Sequence, residues 1–154
     1  MKKHIKEWGY DIFFFALIIG MIGGIWIWKN IDRTKEIRRW FQSLNQEKTE
    51  VVSWGKRALE SDEKKELIQL LHSISKKDIR LADVQGDIGN GSDYCIYITV
   101  DDETYSLWHT FIVMADAMIS YKGYDFWIHS DELKEFLEKT NKLDNEYIKE
   151  NVYE

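Results

Sequence analysis

The feature that most constrains the fold is an uncharged apolar run from Ile12 to Trp28. It is seventeen residues long, in a chain whose mean hydropathy is −0.44. As an α-helix rising ~1.5 Å per residue, the run would extend roughly 25 Å, close to the thickness of a bilayer core. Aromatic residues of the kind found at membrane interfaces flank or end it: Trp8, Tyr10, Trp26 and Trp28. The sequence therefore predicts an N-terminal tail and transmembrane anchor over residues 1–28.

Two alternatives to an uncleaved anchor fit less well. A signal peptide has an apolar core of about 7–15 residues and a small-residue cleavage site, and this run is longer and has no such site after it. A buried helix of a soluble protein would need other long apolar helices to cover Phe13, Phe14 and Phe15, and the sequence has none. We expect a single-pass location in the cell membrane.

The sidedness of the anchor is predicted less directly. The numbers of Lys and Arg on the two sides of the span slightly favour a cytoplasmic location for the C-terminal side. A single N-terminal span behind a short basic tail is, however, typical of a signal anchor that exports the rest of its chain. We therefore expect the soluble domain outside the cytoplasm.

Three small residues repeat at intervals of four along the predicted span. Ala16, Gly20 and Gly24 share one side of the helix, and such a stripe lets two helices approach closely. These residues predict packing between two spans and hence a homodimer.

An amphipathic helix is predicted to continue from the anchor over residues 29–46. Apolar residues recur on one of its faces, with no Gly or Pro from residue 25 to residue 47. Residues 29–44 carry five basic and two acidic side chains, a net charge of +3. The pattern leaves two placements open, at the lipid headgroups or against the soluble domain.

The soluble domain is predicted to span residues 47–140, followed by a polar tail over residues 141–154. From Asn45 onward the chain has 13 Lys/Arg and 23 Asp/Glu, a net charge of −10. Such a charge repels nucleic acid and favours a basic protein partner. A single cysteine, Cys95, excludes an internal disulfide framework and the usual zinc spacings.

Hydrophobic periodicity predicts an α+β fold for this domain. Helices are expected to begin at the caps Ser61 and Ser130, each followed by acidic residues. A polar hairpin tip is expected at Asp101, Asp102 and Glu103. Together we expect a small antiparallel sheet of about five strands with two helices on one face. The predicted strands are 49–54, 80–85, 94–100, 104–111, 112–121 and 124–129.

The sequence motifs that could indicate a metal site or catalysis are weak. His72, His109 and His129 are candidate metal ligands together with Asp116 or Asp125, but no two of these histidines lie at a metal-ligand spacing. The loop residues Asp87, Asn90 and Asp93 depart from the calcium-loop pattern. The sequence has no nucleophile elbow, P-loop or dinucleotide-binding fingerprint. These observations predict a protein that is not an enzyme and that has no metal or cofactor.

The predicted sheet is rich in aromatic residues, which alternation along the strands must distribute over both faces. In the last strand, Tyr124, Phe126 and Ile128 should point one way and Asp125 and Trp127 the other. Exposed Tyr and Trp next to acids are typical of binding surfaces. The predicted partner-binding residues are Tyr97, Asp101, Asp102, Trp108, Tyr121, Tyr124 and Trp127.

Two short segments resemble small Gram-positive single-span proteins of the YfmQ type. One is residues 51–57, which lead to the acidic helix start at residues 60–63, and the other is residues 121–124 followed by residues 129–133. The resemblance implies a compact membrane-tethered domain and no catalytic residue. The plan is also analogous to that of membrane-tethered immunity proteins. A pilin-like plan fits less well, because Phe14 stands where that family's pattern has Glu.

These features favour a membrane-tethered protein-binding module whose partners are the lipid bilayer and a protein. Its most specific form is an immunity protein that captures a toxin at the membrane. The alternative is an accessory subunit of a membrane assembly for secretion, conjugation or sensing, in which the span itself contacts the other subunits.

Overall fold

The structure, a computed structural model, describes residues 2–82, 94–110 and 116–151, with side chains from Ile12 onward except Trp26 and Asn30. The predicted interface residues Trp8, Tyr10 and Trp26 are not among the described side chains. The loop predicted over residues 86–93 lies outside the described residues. The chain divides into two compact units, Met1–Arg33 and Thr34–Glu154.

The first unit is the N-terminal part of helix α1, which runs from Lys2 to Ser43. Its apolar side chains are exposed: Ile12, Phe13, Phe14 and Phe15 each present more than 60% of their surface. Within the described residues, this is the one helix that is long and apolar enough to cross a membrane. Exposed apolar surface of this extent is unusual for a soluble monomer.

The second unit is built on one six-stranded antiparallel sheet, which confirms the predicted α+β class. Its order is β1-β3-β4-β5-β6-β2. The sheet has six strands because β1, which precedes the second helix, pairs with β3 at one edge, while β2 pairs with β6 at the other. The strands are β1 (Thr49–Ser53), β2 (Ile79–Leu81), β3 (Tyr94–Val100), β4 (Glu103–His109), β5 (Ala117–Tyr121) and β6 (Tyr124–Ile128).

Two tight hairpins set the register of the central strands. Asp101 and Asp102 join β3 to β4 with φ of 48° and 65°, and Lys122 and Gly123 join β5 to β6 with φ of 48° and 77°. Two consecutive positive φ values are those of a type I′ turn, whose twist matches that of the paired strands. The predicted tip is thus the two aspartates, and Glu103 already belongs to β4.

Alternation along the strands separates two faces of the sheet. Tyr94, Ile96 and Ile98 of β3 point into the hydrophobic core. Cys95 and Tyr97, between them, point to the opposite face. The pairing carries this division across the sheet, since Ile96 lies opposite Leu107, and Leu107 opposite Ile119.

In the described part of the domain, three helices rather than the predicted two cover the core face. The third is the C-terminal part of α1, in which Ile37 and Phe41 are completely buried and Leu44 nearly so. Trp40 packs on Tyr105, with ring centroids 4.6 Å apart. Two placements were left open for the amphipathic helix. In the structure, its residues from Thr34 onward pack against the soluble domain.

The second helix, α2, spans Ser61–Ser73 and buries Leu67, Ile68 and Leu71. Its N-cap is Glu60 rather than the predicted Ser61. The Glu63 carboxylate accepts a hydrogen bond from the Glu60 backbone N–H at 2.9 Å. This hydrogen bond is part of a capping box between Glu60 and Glu63, which stabilises the first turn of α2.

The third helix, α3, runs from Asp131 to Asn151. Ser130 caps it as predicted, because its hydroxyl accepts a hydrogen bond from the Leu133 N–H at 3.2 Å. The prediction of a separate polar tail after residue 140 is wrong. Thr140 and Asp144 are 1% and 2% exposed, so the helix stays packed on the domain beyond the predicted boundary.

The start of the folded unit gives a first testable prediction. A fragment beginning at Thr34 should fold cooperatively, whereas one beginning at Glu47, the predicted boundary, should not. The shorter fragment lacks Ile37, Phe41 and Leu44, each worth roughly 2–5 kcal/mol in a core, against a total stability of about 5–15 kcal/mol. Circular dichroism during urea denaturation distinguishes the two. A cooperative transition of equal midpoint in both fragments would contradict this packing.

Candidate binding surface

The sheet face opposite the helices carries a row of large side chains that we name the aromatic face: Trp54, Tyr97, Trp108, Met118 and Trp127. The strand register makes them neighbours, since Trp108 lies opposite Met118, and Met118 opposite Trp127. Tyr97 adjoins the row on β3, and Trp54 directly follows β1. The row therefore covers four strands, β3, β4, β5 and β6, and extends to the residue that follows β1.

Trp54 is the most exposed member of the aromatic face. Its side chain is 60% exposed, whereas Tyr97, Trp108 and Trp127 are half-buried and Met118 is buried. The Trp54 ring lies 6.5 Å from that of Tyr97 in a stacked arrangement, and 6.3 Å from that of Trp108. Aromatic pairs at such separations attract one another, so Trp54 rests on its neighbours while its other side faces solvent.

Polar groups border this row. Ser120 donates a hydrogen bond to Asp125 at 2.5 Å, and the Thr99 and Thr104 hydroxyls lie 3.0 Å apart. Arg80 lies opposite Trp127 at the β2 edge. Among the described residues, no hydrogen-bond partner meets the buried Nε1 of Trp108. The face thus combines apolar area with a polar rim, as protein interfaces do.

The turn after β1 holds Trp54 in place. The Trp54 N–H donates to the Cys95 carbonyl at 3.0 Å, and the Ser53 N–H donates to the Arg57 carbonyl at 2.8 Å. Lys56 has a φ of 66°, in the left-handed region, and its N–H donates to the Ser53 carbonyl at 3.0 Å. The backbone on both sides of Trp54 is therefore fixed.

A buried carboxylate, that of Asp144 in α3, anchors this turn. One oxygen accepts the hydroxyl of Ser53, and the other accepts the Gly55 N–H at 2.8 Å. A Cβ on Gly55 would lie 2.8 Å from the Asp144 Oδ2 and from the Ile148 Cδ1. A side chain at position 55 would therefore displace the end of the Ile148 side chain or the Asp144 carboxylate, and glycine lets that carboxylate reach the Gly55 N–H.

Arg57 and Glu63 form an ion pair beside this carboxylate. The guanidinium donates to both carboxylate oxygens of Glu63, at 2.7 and 3.1 Å. That hydrogen bonding raises the pKa of Arg57. Burial alone would raise the pKa of Glu63, but the hydrogen bonds from Arg57 and from the Glu60 N–H lower it below its ordinary value.

Two further ionisable groups near the turn stay protonated at neutral pH. Burial, followed by the nearby charge of Asp144, raises the pKa of Tyr94 well above its ordinary value. Burial also raises the pKa of the Cys95 thiol to about 12. Because the thiolate is the nucleophilic form, Cys95 is suited to packing and not to covalent chemistry.

The structure brings some of the predicted partner-binding residues together and separates others. Tyr97, Trp108 and Trp127 share the aromatic face, and Asp101 and Asp102 are exposed at the hairpin tip.

Tyr121 and Tyr124 lie on the core face instead. Tyr121 is buried against Tyr105 and Trp40, with centroids 5.1 Å away in each case, so its assignment to a binding surface is wrong. Tyr124 is half-buried and packs against the core. The side-chain directions expected for Phe126 and Trp127 are confirmed.

Sequence reasoning missed Trp54 and Asp144. Alternation from Val52 would have placed Trp54 on the outer face, so a signal for it existed. No comparable signal marks Asp144, because a polar residue in a polar segment resembles any surface position.

The histidines considered as metal ligands have other neighbours. The His72 Nε2 lies 3.1 Å from the Leu44 carbonyl, the His109 Nε2 3.5 Å from Glu138, and the His129 Nδ1 3.8 Å from Asp116. No three His, Cys, Asp or Glu side chains converge on a metal position in residues 12–82, 94–110 and 116–151. The loop residues Asp87, Asn90 and Asp93 lie outside the described residues.

The small residues of the predicted span have open space beside them in the structure. Ala16, Gly20 and Gly24 lie on the exposed part of α1, and a Cβ built on either glycine meets no atom within 4 Å. In this part of the chain, the stripe therefore has room for another helix.

Comparisons with protein-family models, curated proteins and solved structures found no match to this chain. The resemblance to YfmQ-type proteins stays a prediction.

The Asp144 anchor gives a second prediction. Asp144→Asn should lower the free energy of unfolding by about 2–4 kcal/mol, because an amide has one acceptor oxygen and leaves either the Ser53 hydroxyl or the Gly55 N–H without its acceptor. Glu146→Gln, a matched change on the exposed side of α3, should shift it by less than about 0.5 kcal/mol. Urea denaturation of the fragment from Thr34 measures both. Equal effects would show that Asp144 is not an anchor.

The ion pair gives a third prediction, on pH. Because the folded-state pKa of Glu63 is lowered, its stabilisation is complete above the unfolded pKa of about 4.3 and is lost as pH falls through the folded value. Glu63→Gln should cost about 2 kcal/mol at pH 7 and reduce the loss of stability between about pH 5 and pH 3. Denaturation at a series of pH values tests this. Parallel curves for variant and wild type would contradict it.

Proposed function

We propose that this protein is a membrane-tethered protein-binding module that contacts its partner through the aromatic face. The observation that carries the proposal is Trp54, a large aromatic side chain that is mostly exposed yet held by ring stacking and by a turn anchored on a buried carboxylate. Tryptophan dominates the energetics of many interfaces, and a side chain that is already ordered loses little entropy on binding. No catalytic residue is assigned.

The tether in this proposal is the apolar segment of α1. Its exposed side chains need an apolar solvent, and a bilayer supplies one. We place the soluble domain outside the cytoplasm, with its net charge of −10 from Asn45 onward steering a basic protein to it. The most specific form of the proposal is an immunity protein that holds a toxin at the membrane.

A second candidate is an accessory subunit of a secretion, conjugation or sensing assembly. The open stripe of Ala16, Gly20 and Gly24 supports it, because small residues let another membrane helix, or a second copy of this one, approach closely. In that case the partner contacts would lie along the span and not on the sheet.

The two candidates predict different crosslinks. A photo-reactive amino acid at position 54 or 127 of the full chain, expressed in its native cells, should crosslink one and the same protein. The same probe at Lys65, exposed on α2, is the matched control and should not. Crosslinks from position 20 or 24 alone would instead support the accessory-subunit function and contradict the proposal.

Side-chain replacement then tests the energetic role of Trp54. Trp54→Ala should weaken binding of the crosslinked partner about 30-fold or more, the loss expected for an aromatic hot spot. Trp54→Phe keeps a ring to stack on Tyr97 and should retain most of the affinity. Thermal denaturation checks that both variants fold. Unchanged affinity in Trp54→Ala would overturn the assignment of the aromatic face.

A further inference from the structure

A groove on the helical layer of the domain combines exposed apolar area with unpaired negative charge. It has a volume of about 340 Å³ and lies between the start of α2 and the C-terminal half of α3. Its lining residues are Glu60, Glu63, Leu143, Glu146, Tyr147 and Glu150, together with Arg57. We name it the α3 groove.

The apolar part of the α3 groove is unusual within this domain. In the described residues from Thr34 onward, three large apolar side chains are exposed: Trp54, Leu143 and Tyr147. Leu143 and Tyr147 are 39% and 37% exposed, and they lie one helical turn apart on the same side of α3. A partner could therefore bury both at once.

The acidic part runs alongside this apolar row. Glu146 and Glu150 follow Leu143 and Tyr147 by three residues, so each pair occupies adjacent positions on the helix surface. Arg57 is already engaged by Glu63. Among the described residues, no cation pairs with Glu60, Glu146 or Glu150. Three carboxylates thus line the groove without an ion-pair partner among the described residues.

From this complementarity we infer that the α3 groove binds a cationic segment of a protein partner, in which a Lys or Arg is followed within one turn by an apolar side chain. The apolar side chain lies over Leu143 and Tyr147, and the basic groups meet Glu146, Glu150 and Glu60. This surface is separate from the aromatic face, so the inference does not depend on the proposed function of that face.

The probe for this site is a synthetic twelve-residue peptide of Leu and Lys with blocked ends, and its counterpart with Glu in place of Lys. Binding to the full chain in phosphatidylcholine nanodiscs is measured by fluorescence anisotropy at low and high salt. The Lys peptide should bind, and more weakly at high salt, because salt screens exposed charges. The Glu peptide should not bind.

Charge reversal locates the binding. Glu146→Lys with Glu150→Lys should weaken binding of the Lys peptide by about tenfold or more and flatten its salt dependence. The matched control is Glu47→Lys with Glu50→Lys, which changes the net charge equally at exposed sites outside the groove. The control should bind as the wild type does.

Several outcomes overturn the inference. They are no binding of the Lys peptide, equal weakening in variant and control, and weakening in the control alone. Self-association of the full chain that Glu146→Lys with Glu150→Lys abolishes would assign the groove to a second copy and would also overturn it. A photo-reactive Lys peptide that crosslinks near Tyr147 supports it even if the variant is unstable. Trp54→Ala should leave peptide binding unchanged, which separates this test from that of the aromatic face.

Discussion

The hydrogen bonds of the buried Asp144 carboxylate hold together the corner of the domain where the turn after β1 meets α3. A carboxylate inside a protein is costly unless its oxygens are hydrogen-bonded and its charge is balanced. Ser53 and Gly55 supply the hydrogen bonds, and Arg57 supplies a positive charge 3.9 Å away. The same requirement shapes the turn that presents Trp54, so the most exposed aromatic side chain among the described residues of the domain is held by a carboxylate that is almost completely buried.

The two-residue period of the strands accounts for the functional division of the sheet. Residues of one parity enter a core covered by α1, α2 and α3, and residues of the other parity form the aromatic face. Tyr121 and Trp127 lie on neighbouring strands with similar composition, yet one is buried against Trp40 and the other lines the outer face. Composition alone cannot distinguish them, because register decides which side each occupies.

The sequence predicts the framework better than the site. The α+β class, the hairpins at residues 101–102 and 122–123 and the cap at Ser130 follow from local patterns, because turn and cap chemistry involves near neighbours. The predicted end of the domain at residue 140 was wrong because α3 remains buried at Thr140 and Asp144. Both are polar residues, so hydrophobic periodicity does not reveal their burial. The anchoring of Trp54 could not be predicted, since it joins residues about ninety positions apart and only the folded chain shows that proximity.

That long separation has a consequence for biogenesis. Ser53 and Gly55 are synthesised about ninety residues before their partner Asp144, so the turn cannot be anchored until α3 has been made. Folds that rely on such distant contacts also form slowly, because a long loop must close first. The apolar segment of α1 emerges from the ribosome well before then. Any targeting or insertion machinery that recognises this segment therefore meets a nascent chain whose domain is still unfolded, a state that passes through a narrow translocation channel.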